Sequence, residues 1–188
     1  MSKVVAKLKK EAQRLKEKAA ERGNFEKIDW FAPKVDVNLI RVLPNQKDAD
    51  ELFFKEVKIH YIKITKDDGG VATIPARCLE EFEEKCPCCD AYSKLIKQGE
   101  KGKKKANELR LVTRYLYNVI NYSDKKIQPY AAPVTVHTAL MEWAEELESD
   151  ISDLESGRDF KLIKKQDPRK PGNLGITYVV KPLMKETE

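Results

Sequence analysis

The residues best suited to chemistry lie in one stretch, from His60 to Cys89. It contains all four cysteines of the chain, Cys78, Cys86, Cys88 and Cys89, and one of the two histidines. The sequence Cys-Pro-Cys-Cys at residues 86–89 includes a CxxC spacing, which lets one tight turn direct two thiolates at a tetrahedral metal ion. A closed site of three sulfurs and one nitrogen is typical of structural zinc, because zinc accepts such mixed ligands.

The ligand set is limited by the few candidates in the chain. The CxxC pair and Cys78 supply three sulfurs, whereas Cys88 is expected to point away, because adjacent residues chelate one ion awkwardly. His60 is the better fourth ligand by elimination, and His137 is the alternative. The predicted zinc ligands are therefore His60, Cys78, Cys86 and Cys89.

Disulfide bonds and redox chemistry are the alternatives to zinc. The residues after Met1, SKVVAKLKKEAQ, contain no apolar signal core, so we expect the chain to stay in a reducing cytosol. Cysteines there more often bind metal or act in catalysis than form disulfides. A reactive thiolate is disfavoured, because Glu80, Glu81, Glu83 and Glu84 precede the CxxC pair and negative charge raises the pKa of a thiol.

The net charge of +5 is unevenly distributed along the chain. Residues 1–22 carry eight basic and three acidic side chains, so the rest of the chain is balanced. Within that rest, residues 97–110 carry six bases and two acids, whereas residues 142–155 carry seven acids and no base. A segregated basic surface can bind a polyanion, although lysine-rich surfaces also serve solubility alone. No apolar run is long enough to span a membrane, so no membrane partner is expected.

Periodicity and turn residues predict a series of strands and helices. A basic helix with a narrow apolar stripe is predicted at residues 3–22, ending at Gly23. Helices are also predicted within residues 78–98, which carry the CxxC pair, and at 134–148, starting near Thr135; residues 99–107 form a lysine-rich helix or loop. Strands are predicted at residues 35–43, 52–65, 71–75, 109–122, 127–132, 160–164 and 176–180.

These elements predict a mainly β fold of the α+β type. A small, partly open barrel of the OB type fits the strand number and the helical interruptions, although periodicity alone does not separate it from another small barrel. In this interpretation residues 1–23 form a basic N-terminal helix, 29–182 the OB-fold core, about 60–98 a zinc-binding helical insertion, and 183–188 a short tail.

Several predicted strands combine cationic and aromatic side chains, as binding of single-stranded nucleic acid requires. Cations track the phosphates, and aromatic faces stack on unpaired bases with roughly 1–3 kcal/mol per base. The alternative is that the aromatic residues fill the core, since period-two alternation does not show which face is buried. The candidate DNA-binding residues are Arg41, Lys55, Lys58, Tyr61, Arg110, Arg114, Tyr115, Tyr117 and Lys164.

Enzyme chemistry has little support in the sequence. There is no phosphate-cradling glycine loop, nucleophile elbow or HExxH motif, and a closed zinc site leaves no position for a reactive water. We therefore predict that the protein is not an enzyme. Two other hypotheses remain: a zinc-stabilised protein-interaction adaptor without direct DNA binding, and a zinc-dependent nuclease with an open metal site.

The order of several segments resembles that of a known family. They are NLIRVLP (38–44), FFKEVKIHYI (53–62), the cysteines at 78 and 86–89, RYLYNVI (114–120), AAPVTVHTAL (131–140), SGRDFKLIKK (156–165) and ITYVV (176–180). This order resembles the zinc-containing single-stranded DNA-binding proteins of tailed phages, the helix-destabilising type best known from phage T4. The resemblance spans about residues 29–182.

The resemblance implies an OB fold and a subdomain stabilised by structural zinc on His60, Cys78, Cys86 and Cys89. It implies cooperative, largely sequence-independent coating of single-stranded DNA in phage DNA replication, recombination and repair, in the cytoplasm of the infected host cell. The basic N-terminal segment would promote self-association of neighbouring copies along the strand. Replication or recombination proteins are further partners that the resemblance implies.

Overall fold

The structure is a computed structural model that describes residues 28–45, 51–66, 69–170 and 172–183. The predicted N-terminal helix lies outside the described residues, as does the predicted tail apart from Leu183. Within the described ranges the chain forms seven strands and three α-helices. The strands are β1 (Asp36–Leu43), β2 (Phe54–Thr65), β3 (Val71–Arg77), β4 (Leu111–Asn121), β5 (Lys126–Pro133), β6 (Asp159–Gln166) and β7 (Ile176–Pro182). The helices are α1 (Pro87–Ile96), α2 (Glu100–Glu108) and α3 (Val134–Glu146), with short 3-10 helices at Leu79–Phe82 and Gly172–Gly175.

All seven strands join one antiparallel sheet in the order β3-β2-β4-β1-β6-β7, with β5 on the other edge of β4. Strands β1 and β2 pair with consecutive parts of β4, since Leu43 lies opposite Asn118 and Phe54 lies opposite Tyr117. The end of β1 and the start of β2 therefore occupy neighbouring positions along the same edge of β4. The sheet curls into a half-barrel that is consistent with an OB-like barrel, so the predicted mainly β fold is confirmed.

The core lies inside the curl of the sheet. Alternate residues of the strands point inwards there, among them Val42, Val119 and Leu162, which are fully buried. Helix α3 packs on this core through Val136 and Leu140. No helix in the described part of the chain is long and apolar enough to cross a membrane.

Helix α3 closes one side of the half-barrel. The indole Nε1 of Trp143 donates a hydrogen bond to the carbonyl of Val180 at 3.0 Å, which ties the helix to β7 at the end of the sheet. The helix begins at Val134, directly after Pro133, at the first residue of the predicted range, and it ends at Glu146, two residues before the predicted end. Proline suits the position before a helix, because its fixed φ and missing N–H cost nothing there.

Arg41 lies inside the protein, which contradicts the prediction that it contacts DNA. It is 5% exposed, and its guanidinium donates to the carbonyls of Asp153 and Leu154 at 2.9 and 3.0 Å. It also pairs with the Asp159 carboxylate at 3.5 Å, which lies directly opposite Arg41 in the ladder between β1 and β6. The charge of Arg41 is therefore used to hold residues 153–159 against the sheet.

Replacing Arg41 by lysine is expected to lower the free energy of unfolding by about 1–3 kcal/mol, because lysine cannot reproduce the planar fork that serves two carbonyls and a carboxylate. Urea denaturation measures this change. Arg110→Lys is the matched control, since Arg110 is exposed. Equal stability of the Arg41 variant and the wild type would contradict the structural role.

Candidate metal centre and nucleic-acid interface

The structure brings together the four predicted zinc ligands. His60 comes from β2, Cys78 follows β3, Cys86 precedes α1, and Cys89 lies in the first turn of that helix. One ligand atom from each of the four lies within 4.8 Å of the others. Pro87 at the first helical position sets the chain direction between the two CxxC cysteines, because its φ already suits a helix start.

Three distances within this cluster are close to the edges of a zinc tetrahedron. Zinc–sulfur bonds of about 2.3 Å and zinc–nitrogen bonds of about 2.0–2.1 Å separate two sulfurs by about 3.8 Å, and a sulfur from a nitrogen by about 3.6 Å. The sulfurs of Cys78 and Cys89 are 3.6 Å apart. His60 Nε2 lies 3.5 Å from the sulfurs of both Cys86 and Cys89. The residues present therefore fit zinc in size and in donor type.

A hydrogen bond sets the orientation of the His60 ring. Its Nδ1 lies 2.8 Å from the carbonyl oxygen of Leu109, which can only accept, so Nδ1 carries the proton. The lone pair of Nε2 then points to the sulfurs, and such outer partners normally fix the tautomer of a metal-binding histidine. The alternative ligand, His137, hydrogen bonds to Tyr117 instead.

The pKa values of Cys86 and Cys89 are shifted in opposite directions. Burial raises the pKa of Cys86, but backbone hydrogen bonds at Cys89, Leu79 and Cys88 outweigh it and lower that pKa to about 6. Burial, together with a hydrogen bond to Cys78, raises the pKa of Cys89 well above its usual range. Three close thiols cannot all ionise unless a cation neutralises them, and a divalent metal does this. With four protein ligands, zinc would supply cross-linking here rather than a reaction.

The helical insertion packs closely behind the cluster. Gly102 of α2 faces α1 so tightly that a Cβ at this position would lie 1.9 Å from the carbonyl oxygen of Leu95. Ala106 is buried one turn further on. The lysines of α2 consequently face solvent, so the basic segment at residues 97–110 contributes an exposed basic surface.

The second candidate site lies on the face of the sheet that points away from the core. Register shows that Tyr117 and Tyr130 share the inner face, whereas Leu116 and Ala131 share the outer one. On the outer face a cavity of about 460 Å³ opens to solvent. We call it the outer cleft; its lining residues are Trp30, Val57, Ile59, Tyr61, Pro75, Arg77, Leu116 and Ala131.

The outer cleft combines an apolar floor with aromatic and cationic groups. Trp30 is 46% exposed although it is a large apolar side chain. The Arg114 guanidinium lies over the Tyr61 ring, 5.9 Å from its centroid. Arg77 lines the cleft, and Lys55 is exposed on the same face, opposite Leu116. This combination matches the two needs of single-strand binding, stacking surfaces and cations for phosphate.

Three of the predicted DNA-binding residues lie at or beside this cleft: Lys55, Tyr61 and Arg114. Two predicted residues are turned to the opposite face of the sheet. Lys58 is exposed there, and the ring of Tyr115 stacks on His137 with centroids 3.5 Å apart. The structure therefore does not bring Lys58 and Tyr115 into the outer cleft.

The remaining predicted DNA-binding residues lie elsewhere. Tyr117 is 2% exposed and its hydroxyl lies 2.5 Å from Nδ1 of His137, so its burial contradicts a stacking role. Lys164 is half-buried and its Nζ donates to the carbonyl of Pro33 at 3.0 Å. Arg110 is exposed between α2 and β4.

Sequence reasoning missed Trp30 and Arg77 as site residues. Trp30 lies between the predicted N-terminal helix and the first predicted strand, and Arg77 lies beyond the predicted end of its strand. The structure, and not the sequence, shows the direction of the Trp30 side chain. Phe31 enters the core and its N–H bonds to the carbonyl of Pro129 at 2.9 Å, so the preceding side chain faces outwards along the same extended segment.

A curled antiparallel sheet whose open cleft combines aromatic and cationic side chains is typical of proteins that bind nucleic acid. The family model described as gp32 DNA binding protein like matches residues 34–168. The match covers well over half of the chain, so the protein belongs to this DNA-binding family, and the family resemblance seen in the sequence is confirmed. No curated protein matches the chain.

Proposed function

We propose that the protein coats single-stranded DNA, largely independently of sequence, in phage DNA replication, recombination and repair. The observation that carries this proposal is the outer cleft, where the half-exposed Trp30 and the partly exposed Tyr61 lie beside Arg77 and Arg114. Every base has a stackable face, so stacking of this kind tolerates any sequence. A duplex hides those faces, and the cleft should therefore prefer single strands.

The zinc centre would position the cleft, because the two sites share their strands. His60 points to the inner face of β2, while its neighbours Ile59 and Tyr61 line the outer cleft. Cys78 directly follows Arg77, which also lines the cleft. Zinc would thus tie the middle of β2 to the residue that follows β3 and fix the spacing of the groups that face the DNA.

We also propose partners and a cellular location for the protein. Copies of the protein would associate along the strand through the basic segment at residues 1–23, which lies outside the described residues. Replication or recombination proteins would act on the coated strand, in the cytoplasm of an infected host cell. The basic charge of residues 1–22, eight bases against three acids, suits contact with an acidic surface or with phosphate.

Titration of the zinc-loaded protein with a poly-dT oligonucleotide should give tight binding that weakens steeply with salt, because phosphate contacts release counterions. A duplex of the same length, tested at the same two salt concentrations, should bind much more weakly. Tryptophan and tyrosine fluorescence reports binding and stacking together. Absence of binding to the single strand at low salt would overturn the proposal in favour of a protein-interaction adaptor.

A further inference from the structure

Apolar side chains are exposed on the outer face of the sheet, at the end formed by β1, β6 and β7. The inward residues of these strands, such as Ile40, Leu162 and Val180, are buried in the core. Their outward neighbours reach solvent although several of them are apolar, and Val37 is 50% exposed. We call this group the apolar patch; its members are Val37, Leu39, Ile163 and Val179.

The register of the strands makes the patch continuous. Val37 lies opposite Ile163, which in turn lies opposite Val179, so β-branched side chains form one row across three strands. In the adjoining row Lys161 lies opposite Leu39. The patch is therefore a band of apolar side chains with lysine beside it.

The size of this surface indicates a protein partner that binds weakly. Three rows of residues on three strands, from Leu39 to Lys165, cover roughly 300 Å², because strands lie about 4.8 Å apart and successive residues on one face about 6.8 Å apart. Exposed apolar patches of a few hundred Å² often mark interaction sites. A stable interface needs about 800 Å² on each partner, so the residues that flank the patch must supply the remainder.

The two ends of the patch carry opposite charges. At one end the guanidinium of Arg41 holds the carbonyls of residues 153 and 154 against β1, and the exposed Glu155 follows directly. Arg41 lies two residues from Leu39 on the same strand, so this acidic loop borders the patch. At the other end Lys165 is exposed on β6. A second copy turned end for end would bring unlike charges together.

We propose that the apolar patch is the interface of a homodimer, in which a second copy of this chain packs face to face about a two-fold axis that runs across the strands. Such an axis reverses the strand direction between the copies, so the acidic end of each patch meets the basic end of the other. Glu155 of each copy then approaches Lys165 of the other, and this contact forms twice. The stems of Lys161 and Lys181 lie over the other copy's apolar row, with their charged ends in solvent.

A second copy suits the patch better than residues 1–22 of the same chain. Those residues carry eight bases and three acids, and the lysines beside the patch would repel them. A second copy brings an acidic loop of its own to the basic end. The inference does not depend on DNA binding, because no residue of the patch lines the outer cleft.

Analytical ultracentrifugation of the zinc-loaded full chain, without DNA, should show a monomer at about 1 µM and a dimer at about 100 µM, since the patch is smaller than a standard interface. Val37→Lys should keep the chain monomeric at both concentrations, because the dimer would bury an unpaired charge in the shared row. Val71→Lys is the matched control. Val71 is 67% exposed on β3, outside the patch, so this variant should dimerise like the wild type. Thermal unfolding should confirm that the variants are folded.

Charge reversal tests the orientation of the two copies. Lys165→Glu should weaken the dimer roughly 3- to 30-fold, because two ion pairs become two repulsions. Adding Glu155→Lys to the same chain should restore the wild-type affinity of the dimer. A double variant as weak as Lys165→Glu alone would overturn the proposal, as would a wild type that stays monomeric at about 100 µM. Equal dimerisation of Val37→Lys and the wild type would also overturn it, since another surface, residues 1–23 included, would then carry self-association.

Discussion

Replacing Cys86 by serine is expected to release zinc and to loosen the region between β2 and β4. The serine hydroxyl is a poor zinc ligand at neutral pH, and the remaining three ligands would no longer close the tetrahedron. Zinc binding contributes about 10–16 kcal/mol in small zinc domains, and even changes outside the ligand shell cost 10–100-fold in affinity. A loss of more than about 100-fold in zinc affinity should therefore follow, together with a lower melting temperature.

Cys88→Ser is the matched control for this experiment, because it makes the same change two residues away in a cysteine that lies outside the ligand cluster. Zinc per chain, measured with a chromophoric chelator, and thermal unfolding should match the wild type in this variant. Retention of one zinc ion and of wild-type stability by Cys86→Ser would contradict a structural zinc site. Equal damage from Cys88→Ser would show that the cluster is wrongly assigned.

The ligand cluster was predictable from sequence because few residues could supply it. The CxxC spacing and the alternation around His60 place the ligands on a turn and a strand, and the structure confirms that they meet. Sequence could not show what selects His60 over His137. That selection depends on the carbonyl of Leu109, which lies 49 residues away and orients the ring.

The DNA-facing residues were only partly predictable, because alternation defines two faces without telling which one is covered. Tyr61 and Tyr115 have similar local patterns, yet the first lies in the outer cleft and the second stacks on His137 of α3. The prediction that Arg41 contacts DNA was wrong for a related reason. Its strand face is covered by residues 153–159, whose position against β1 follows from tertiary packing and not from any local pattern.

The strand elements themselves were predicted well, with ends that differ by a few residues. The sequence pattern did not show how β1 and β2 are placed along β4. Polar residues separate the two strands in the sequence, yet β1 and β2 continue one ladder along β4. That continuity brings Lys55, at the start of β2, to the same face as Leu116 in the outer cleft.

Replacing both Trp30 and Tyr61 by alanine should weaken binding of a dT oligonucleotide between about 30-fold and about 25,000-fold. Each base stack contributes roughly 1–3 kcal/mol, and two stacks would be lost. Anisotropy of a labelled oligonucleotide measures the affinity. Tyr115→Ala is the matched control, since this ring stacks on His137 on the other face of the sheet and should contribute little to DNA binding.

Intrinsic fluorescence separates the two tryptophans of the chain in the same experiment. Trp143 is anchored to the carbonyl of Val180 on the far side of the core, so Trp143→Phe should keep most of the quenching that DNA causes. Trp30→Phe should lose it, because the exposed indole in the outer cleft is the one that a base can cover. Loss of the quenching in Trp143→Phe, with its retention in Trp30→Phe, would contradict the outer cleft as the interface. Equal losses of DNA affinity in Tyr61→Ala and Tyr115→Ala would contradict it as well.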